Sequence, residues 1–566
     1  MKTSARLAFA SSAAILLATA CSAPVETGGE TADAGEFIPD IPVENIEAHI
    51  RFLAHDALQG RASGSEGYQI ATNYVASQYR LLGLQPAGDE GGYFAAVPMQ
   101  YMSPVAEAGR LVIGEGDEAV ELENGSNLIV SAHPVHDQAS ITAEVVFVGY
   151  GLSLPHHGYD DYDGIDVNGR IVAYIGGAPD IMPSDERSHQ QRSSTKRANA
   201  AERGAIGYIQ ISSAPTENYS GFAARAISGS DIALGPDGAE PAYNQLMVAS
   251  GVSREGGEAL FANADMTLEE ALEQLQSGEP ASMPLNVTVT LEQETTRELY
   301  TDYNVVGMIP GSDPELADEV VVLTAHLDHI GHTDENGVST TGCRSNNEED
   351  RICNGAVDNA SGSAIMLETA RAFMESEAPR RSVLFVALAA EEQGLLGSEY
   401  FAFNPTIPEE NMVANVNLDM PVIVYDFADV IAFGAERSSL GPIAERAAAR
   451  LGVTISPDPI PEQNLFIRSD HYNFVRRGVP SVFLMTGFSS PDPRWDEGEG
   501  FMGFLTTHYH RQSDEVDSDE DLEILYEQGA KFANINFLIA REIANNDEAP
   551  TWNEGDYFGE FFGGNR

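Results

Sequence analysis

In the second half of the chain, three apolar runs are each followed directly by ionisable residues. Amphipathic helical patterns, such as those over 364–374 and 441–451, separate the runs. This alternation predicts an α/β fold with a doubly wound, mostly parallel sheet, in which functional sites lie at the carboxyl ends of the strands. We therefore expect the ionisable residues to share one rim. The three runs, each with the residues that follow it, are 320–325 with His326 and Asp328, 383–390 with Glu391 and Glu392, and 416–418 with Asp419.

Further candidate ligands lie outside the strands. A glycine-bounded loop over 355–362 carries Asp358, and His510 follows near the end of the chain. Carboxylates gathered at one rim repel one another unless a cation compensates them. Two imidazoles and three carboxylates suit zinc or a neighbouring divalent ion, and they are too many for one tetrahedral zinc with an open position. Two metals sharing one carboxylate would use the whole set. The candidate metal ligands are His326, Asp358, Glu392, Asp419 and His510.

The ordered set resembles peptidase family M28, the co-catalytic zinc aminopeptidases. The family pattern is His-x-Asp, a bridging Asp, Glu-Glu, Asp and a final His. The resemblance implies two Zn²⁺ ions. It assigns His326 and Asp419 to one ion, Glu392 and His510 to the other, and Asp358 as the bridge.

The same resemblance implies three catalytic roles. Glu391 matches the general base of the family. Asp328 matches a carboxylate expected to orient His326, because metal-bound histidines generally need such a partner. Tyr509 stands beside the last ligand, where some relatives place a tyrosine that hydrogen-bonds the oxyanion.

The pattern of apolar, polar and turn-forming residues along the chain predicts six segments. An apolar-periodic helix is expected around 68–82, ending at Gly83. Short β-rich runs from about 135 predict an inserted domain, and 163–172 resembles a protease-associated (PA) domain. The acidic, aromatic C-terminus predicts a loose appendage. The segments are a signal peptide (1–20), a flexible linker (21–43), the first part of the peptidase domain (44–134), the PA insert (135–290), the catalytic part (291–545) and an acidic tail (546–566).

The N-terminus predicts export. Lys2 and Arg6 precede a short apolar stretch over 7–20, which is typical of a secretory signal. Cys21 follows a sequence that fits either a small-residue cleavage site or a variant of the bacterial lipobox, and we favour lipidation because a polar tether follows. The expected location is the periplasm or outer cell envelope, with possible membrane attachment through a lipid on Cys21.

The other two cysteines, Cys343 and Cys353, enclose a short polar segment. In an oxidising compartment we expect them to pair, which stabilises the fold by roughly 2 to 3 kcal/mol in the chain-entropy picture. They lie between His326 and Asp358, a spacing that is long for family M28. The extra residues are expected to shape the substrate rim.

Charge describes the surrounding medium more than the chemistry. The chain has 31 Lys and Arg against 87 Asp and Glu, a formal net charge of −56. This field repels phosphates and argues against a nucleic-acid partner. An acidic surface that stays hydrated at high ionic strength is consistent with a saline habitat.

Weaker candidates receive structural interpretations. Ser469 and Asp470 are expected to cap the helix that follows them, although the segment also resembles a motif of the family near the specificity pocket. Arg468 is expected to form a surface ion pair rather than to bind a substrate carbonyl or carboxylate. His156 and His157, near several aspartates, are expected in turns rather than at a metal. His133 and His136 are expected in a solvated loop.

The function predicted from the sequence is a dizinc exopeptidase, most simply an aminopeptidase acting on peptides. The family resemblance leaves open a carboxypeptidase that acts on acidic peptides. It also includes one-zinc cyclases, which the complete ligand set argues against, and non-catalytic receptors, which tend to have lost ligands. The preferred side chain and the oligomeric state are not specified by the sequence.

Overall fold

The computed structural model describes residues 37–214, 219–339, 341–345, 347, 349–518 and 522–565. The predicted signal peptide, Cys21 and most of the predicted linker lie outside the described residues. Within the described part of the chain, no helix combines the length and the apolar character needed to cross a membrane.

The described residues contain nineteen strands, which form two main sheets and one small hairpin. The strands are β1 (Gln85–Pro86), β2 (Phe94–Pro104), β3 (Arg110–Ile113), β4 (Val120–Leu122), β5 (Leu128–Val130), β6 (Gln138–Phe147), β7 (Ser153–Leu154), β8 (Tyr159–Asp160), β9 (Ile171–Ile175), β10 (Gly207–Ile211), β11 (Asp231–Leu234), β12 (Val248–Val252), β13 (Met283–Ile309), β14 (Val320–His326), β15 (Ser382–Leu388), β16 (Met412–Leu418), β17 (Asp429–Phe433), β18 (Thr454–Ser456) and β19 (Ser481–Thr486).

Helices pack on both faces of each of the two main sheets. They are α1 (Val43–Leu53), α2 (Glu66–Leu82), α3 (Ser184–Gln191), α4 (Ser193–Glu202), α5 (Tyr219–Ala226), α6 (Ala242–Gln245), α7 (Arg254–Leu260), α8 (Leu268–Gln276), α9 (Gly362–Glu375), α10 (Leu396–Phe403), α11 (Leu440–Arg450), α12 (His471–Val475), α13 (Glu499–Thr507), α14 (Tyr526–Asn545) and α15 (Tyr557–Phe562).

The main sheet has the order β11, β2, β13, β15, β14, β16, β19, β17, β18, and β1 pairs with the end of β13. Its central pairs β15–β14, β14–β16 and β16–β19 are parallel, and every residue of β14, β15 and β16 is buried. Continuous apolar strands of this kind need helices on both faces. The predicted α/β fold with a mostly parallel sheet is confirmed.

The inserted sheet has the order β4, β3, β13, β6, β9, β10, β12, β5. Strand β13 runs without a break from this sheet, where Leu291 faces Leu111, into the main sheet, where Val305 faces Ala387. The predicted boundary at 290/291 therefore falls inside a single strand. The alternating pattern of β13 carries no turn residue at this point that could have marked the crossing.

Helix α2 shows why its ends were predictable. The hydroxyl of Ser65 accepts a hydrogen bond from the Tyr68 N–H (3.1 Å) at the first turn. Gly83 closes the helix in the left-handed conformation (φ 89°), which a residue with a side chain adopts at a cost. The predicted helix and its end at Gly83 are confirmed.

Two predictions about the periphery are wrong. The C-terminal segment is not a loose appendage, because Phe558 is fully buried and the indole N–H of Trp552 donates to the Gly478 carbonyl (2.9 Å). His133 is not solvated either. Its ring is buried, and its Nε2 bonds with the Leu246 carbonyl (2.7 Å). In both places aromatic rings pack against elements distant in sequence, which local polarity does not reveal.

The predicted disulfide between Cys343 and Cys353 is present, with a Cα–Cα distance of 5.8 Å. Both cysteines are buried and pack against Ile330. The bond fixes the base of the polar segment that lies between the first strand of the site and Asp358.

Candidate metal centre

Three neighbouring strand ends bring the predicted ligands to one rim. Strand β14 lies between β15 and β16, so that His326 pairs with Leu388, the last residue of β15. Glu391 and Glu392 follow β15, and Asp419 follows β16. His326 is only 1% exposed at its side chain, so the rim is a buried one.

Asp358 stands between two groups of ligands. Its Oδ1 lies 3.4 Å from His326 Nε2, which also faces Asp419 Oδ1 at 3.1 Å. Its Oδ2 lies 3.3 Å from His510 Nε2, which also faces Glu392 Oε2 at 3.0 Å. The structure thus brings all five predicted ligands together and divides them as the resemblance implied. One carboxylate presents one oxygen to each group.

His329 is a site residue that the sequence reasoning missed. Its side chain is fully buried, and Nδ1 lies 2.7 Å from Glu392 Oε1 and 4.0 Å from Asp358 Oδ2. His329 and His510 therefore approach different oxygens of Glu392. The signal was available in the sequence, because His329 directly follows Asp328 at the end of β14.

The donor set fits a pair of divalent cations. Ligand atoms of His326, Asp358 and Asp419 lie within 4.8 Å of one another, as do those of His329, Asp358 and Glu392. Nitrogen and oxygen donors of this kind suit zinc. Among the described residues, no other group of His, Cys, Asp and Glu converges in this way, including the segment with His156 and His157.

Proton affinities in the site reflect carboxylates packed against imidazoles. Burial lowers the pKa of His510, but its hydrogen bonds to Asp358 and Glu392 outweigh burial and raise that pKa to about 10. Burial would raise the pKa of Asp358, and the bonds from His326 and His510 hold it well below its usual range. Protons occupy the imidazoles in the absence of a metal. A bound cation takes their place and favours neutral, coordinating imidazoles.

Glu391 stands beside the ligands without being one of them. Burial raises its pKa well above the usual range, an effect that His326 partly opposes and that Asp419 and Glu392 reinforce. It lines a narrow cavity of about 70 Å³, which we call the carboxylate pocket. A carboxyl group at such a position can hold and release a proton. The pocket is lined by Asp358, Glu391, Asp419, Met420, Leu465, Arg468, Ser469, Phe483, Met485 and Tyr509.

Asp328 makes contacts that differ from the prediction. Its nearest carboxylate oxygen is 3.9 Å from His326 Nδ1, beyond hydrogen-bond distance, and the backbone carbonyl of Asp328 bonds that nitrogen instead at 3.2 Å. The carboxylate accepts hydrogen bonds from the backbone N–H groups of Glu391 (3.1 Å) and Glu392 (3.3 Å). Burial raises its pKa to about 8. Asp328 therefore fixes the Glu391–Glu392 turn, while its backbone orients His326.

Tyr509 lies over the last ligand. Its ring stacks on His510 with centroids 3.8 Å apart, and it lines the carboxylate pocket. Burial, reinforced by Asp358, Glu392 and Glu391, raises the pKa of its hydroxyl far above the usual range. The hydroxyl stays protonated and is available as a donor.

A buried arginine, Arg61, connects the loop that precedes Asp358 with the loop that follows His326. Arg61, 1% exposed, donates to the carbonyls of Leu327 (3.0 Å), Asn354 (2.5 Å) and Gly355 (3.1 Å). Gly355 has φ 61°, and a Cβ there would lie 2.6 Å from the His329 ring. The loops before Asp358 and after His326 are thus fixed relative to each other by one side chain.

The disulfide-closed segment also reaches the site. Arg344, next to Cys343, donates from its backbone N–H to the His510 carbonyl (3.2 Å) and from Nη2 to the Tyr509 carbonyl (2.9 Å). The inserted residues between His326 and Asp358 therefore support the last ligand from outside.

Two predictions about the segment before α12 are wrong. The Ser469 hydroxyl does not cap the helix, because it donates to Asp419 Oδ2 (2.5 Å) and accepts from the Asn417 amide (2.7 Å), and Asp470 makes no capping bond either. Arg468 is exposed and, within the described part of the chain, forms no ion pair. It lines the carboxylate pocket instead.

The second half of the chain matches a known family of peptidases. Residues 304–530 match the sequence model of peptidase family M28. The chain is 34% identical over 133 residues to a probable zinc metalloprotease of Pyrenophora tritici-repentis, covering 22% of this chain and 30% of that protein. It is 25% identical over 250 residues to aminopeptidase YwaD of Bacillus subtilis, covering 43% of this chain and 45% of that protein. The matches thus span less than half the length of these curated relatives.

Solved structures align with most of the chain at low sequence identity. An aminopeptidase from Aneurinibacillus sp. strain AM-1 aligns over 90% of this chain and 95% of its own, with 22% identity and a TM-score of 0.46. The matched segment 304–530 contains β14, the Asp358 loop, the Glu391–Glu392 turn, Asp419 and His510. The segment of this chain that carries the metal-ligand set is therefore the segment that matches the sequence model of peptidase family M28.

Proposed function

We propose that the protein is a dizinc exopeptidase that releases N-terminal residues from peptides. The observation that carries the proposal is the position of Asp358, which presents one oxygen to His326 and the other to His510. Glu391 lies in the same pocket and is free of that ligand set. A shared carboxylate with an adjacent carboxyl group is the arrangement that two-metal hydrolysis requires.

The proposed ligands divide between two ions. His326 and Asp419 would hold one zinc, Glu392 and His510 the other, and Asp358 both. When bound, the ions would supply Lewis-acid activation of a water and of the scissile carbonyl. The Ser469 hydroxyl fixes Asp419, and His329 fixes Glu392, through one hydrogen bond each.

Glu391 is proposed as the proton carrier. It accepts a proton from the attacking water as the carbonyl carbon becomes tetrahedral, and it returns that proton to the amine as the C–N bond breaks. The Asp328 carboxylate holds the backbone of Glu391 in place during both transfers. The protonated Tyr509 hydroxyl, which lines the same pocket, donates to the oxyanion.

The pocket itself limits the substrate. Its volume is about 70 Å³, and part of its wall is apolar. We propose that it accepts one small apolar side chain, that of the N-terminal residue. The apolar wall consists of Met420, Leu465, Phe483 and Met485.

A carboxypeptidase is the second candidate, and Arg468 favours it. This guanidinium lines the pocket and, among the described residues, has no carboxylate partner, although the chain has 87 Asp and Glu. An unpaired arginine could bind the terminal carboxylate of a peptide. Peptides of matched sequence separate the two candidates.

The test uses the purified full-length chain with free, N-acetylated and C-amidated versions of one peptide, with and without a chelator, read by mass spectrometry. Chelator-sensitive loss of one N-terminal residue, blocked by acetylation and indifferent to amidation, is the expected result. Shortening from the C-terminus, blocked by amidation, would replace the proposal by the carboxypeptidase. No cleavage by protein that contains two equivalents of zinc would support a receptor.

We further propose export with a lipid on Cys21. The proposal rests on the apolar stretch over 7–20 and the polar segment after it. Wild-type protein expressed in a bacterium is expected in the membrane fraction, and Cys21→Ala in the soluble exported fraction. Equal partition of both forms would contradict lipidation.

A further inference from the structure

A second cavity has none of the metal ligands in its wall. It has a volume of about 590 Å³ and is bounded by the end of α3, by α4, α6 and α15, and by Arg476, which directly follows α12. It shares no lining residue with the carboxylate pocket. We call it the arginine cavity, and the residues that matter for its chemistry are His189, Arg192, Glu202, Arg476, Phe561 and Phe562.

Two arginines and two glutamates line this cavity, and one of the glutamates, Glu240, is already paired with Arg197 (2.8 Å). The Arg192 guanidinium lies 5.3 Å from the centre of the Tyr472 ring and, in the described part of the chain, has no carboxylate within ion-pair distance. Arg476 also lines the cavity and is held by Glu399 (3.1 Å). Guanidinium groups bind carboxylates through paired hydrogen bonds, so Arg192 is a ready carboxylate site.

His189 supplies an unused polar atom in the same wall. Its ring is 6% exposed, its Nδ1 is hydrogen-bonded to the Tyr472 hydroxyl, and its Nε2 has no hydrogen-bond partner. Burial, reinforced by Arg192 and Arg476, lowers its pKa to about 3, so the ring is neutral. When Tyr472 donates to Nδ1, the Nε2–H is a buried donor that a ligand can satisfy.

The remaining wall is apolar and aromatic. Phe561 and Phe562 lie with ring centroids 4.9 Å apart, and Phe562 is 5.4 Å from the His189 ring. Phe561 is 50% exposed although it faces the cavity. Glu202, an exposed carboxylate at the rim, could meet an ammonium group.

We propose that the arginine cavity binds a small organic carboxylate with an apolar body, the carboxylate at Arg192 and the apolar part against Phe561 and Phe562. Free apolar amino acids belong to this chemical class. If the proposed function holds, they are also the product of the chain's own reaction. A carboxylate without an amino group is the other source, and the experiment separates the two.

Isothermal titration of the zinc-loaded full-length protein tests the site without using turnover. The probes are leucine, 4-methylpentanoate, which lacks the amine, and 3-methylbutylamine, which lacks the carboxylate and has no amide bond to cleave. Leucine is expected to bind and 3-methylbutylamine not to bind at this site. Comparable binding of 4-methylpentanoate would keep the carboxylate site and remove the amino-acid source.

Three variants locate the binding. Arg192→Gln is expected to weaken leucine binding by about 10-fold or more, because a charge-assisted bond is lost. Arg187→Gln, on α3 but outside the cavity, and Glu391→Gln, in the carboxylate pocket, are expected to bind as wild type does. Equal affinity of Arg192→Gln and wild type, loss of binding in Glu391→Gln, or no binding at millimolar leucine would each overturn the proposal.

Discussion

Buried charge is treated differently in the two sheets that β13 joins. Next to the inserted sheet, directly after β8, Asp161 accepts hydrogen bonds from the Tyr150 N–H (3.0 Å), the Leu152 N–H (3.1 Å) and the Tyr159 hydroxyl (2.8 Å). At the rim of the main sheet, by contrast, Asp358 meets the imidazoles of His326 and His510. Asp161 finds its hydrogen-bond partners within the protein, whereas the carboxylates around Asp358 need cations to balance their charge.

This difference separates structural from functional burial. A buried polar group that has all its hydrogen-bond partners within the chain stabilises the fold and needs no ligand. Lys196 behaves in this way, since it donates to the carbonyls of Tyr150 (2.5 Å) and Gly177 (2.6 Å). Crowded carboxylates, or a buried donor such as His189 Nε2, mark places where a ligand supplies the missing partner.

The largest effect is expected from Asp358→Ala, which removes the carboxylate shared by both ligand groups. The variant should purify with less than one equivalent of zinc and without measurable peptidase activity, a loss of at least about 10⁴-fold if both roles of the metals fail. Metal content by mass spectrometry and peptide turnover are the measurements. Asp426→Ala, at an exposed ion pair with Lys531, is the matched control and should keep both. Two equivalents of zinc in Asp358→Ala would remove the bridging role.

Glu391→Gln separates chemistry from metal binding. It should keep two equivalents of zinc and lose about 10² to 10⁴-fold in kcat, since general-base catalysis contributes on that scale. Steady-state kinetics with metal analysis checks this. Glu410→Gln, on the surface, should be indifferent. Near-normal turnover of zinc-loaded Glu391→Gln would show that another group carries the proton.

The next expected effect concerns the pH dependence of the free energy of unfolding, which we assign to His133 next to the inserted sheet. Burial, opposed by the hydrogen bond to the Leu246 carbonyl, lowers the pKa of His133 to about 4 from its ordinary 6.5. The unfolded chain then takes up the proton first, so the stabilisation is complete above pH 6.5 and is lost as pH falls toward 4. The loss is at most about 3 kcal/mol.

Unfolding by denaturant at pH 7.5 and pH 5 measures it. Wild type should lose more free energy of unfolding between these pH values than His133→Gln does. His156→Gln, at an exposed position, should follow wild type. Equal pH dependence of wild type and His133→Gln would mean that His133 titrates normally in the folded protein.

His329→Gln tests the residue that sequence reasoning missed. The glutamine amide can still donate to Glu392 but cannot reproduce the position of Nδ1, so zinc affinity should fall by about 10 to 100-fold, as for other partners of metal ligands. Competition with a chromophoric chelator measures the affinity. A complete loss of the second zinc would instead make His329 a ligand in its own right.

The site residues that directly follow strands could be predicted from the sequence. His326, Glu392 and Asp419 follow buried runs, and parallel strands put their carboxyl ends on one rim, so their meeting could be foreseen. Ser469 and Arg468 were misassigned because their contacts come from chain folding between distant elements. A side chain that can either cap a helix or support a ligand is decided by tertiary packing, which local pattern does not contain.

Other misses have the same origin. The course of β13 through both sheets leaves no turn signal, so texture alone placed a domain boundary inside a strand. The C-terminal helix α15 is short and lies in an acidic context, and only its buried face, with Phe558, shows that it docks. Contacts of high sequence separation decide both cases.

The smallest expected effect concerns Arg468, whose role distinguishes the two exopeptidase candidates. In an aminopeptidase, the guanidinium at the pocket wall would touch only substrates that carry a carboxylate near the scissile bond. Arg468→Met should then lower kcat/KM for acidic peptides by about 10-fold or less and leave neutral, C-amidated peptides unchanged. In a carboxypeptidase the same substitution would remove recognition of every substrate, with losses above about 100-fold. Arg494→Met, an exposed arginine paired with Asp492, is the control. The ratio of kcat/KM for matched free and amidated peptides, measured in all three proteins, therefore decides whether this unpaired arginine tunes specificity or defines the reaction.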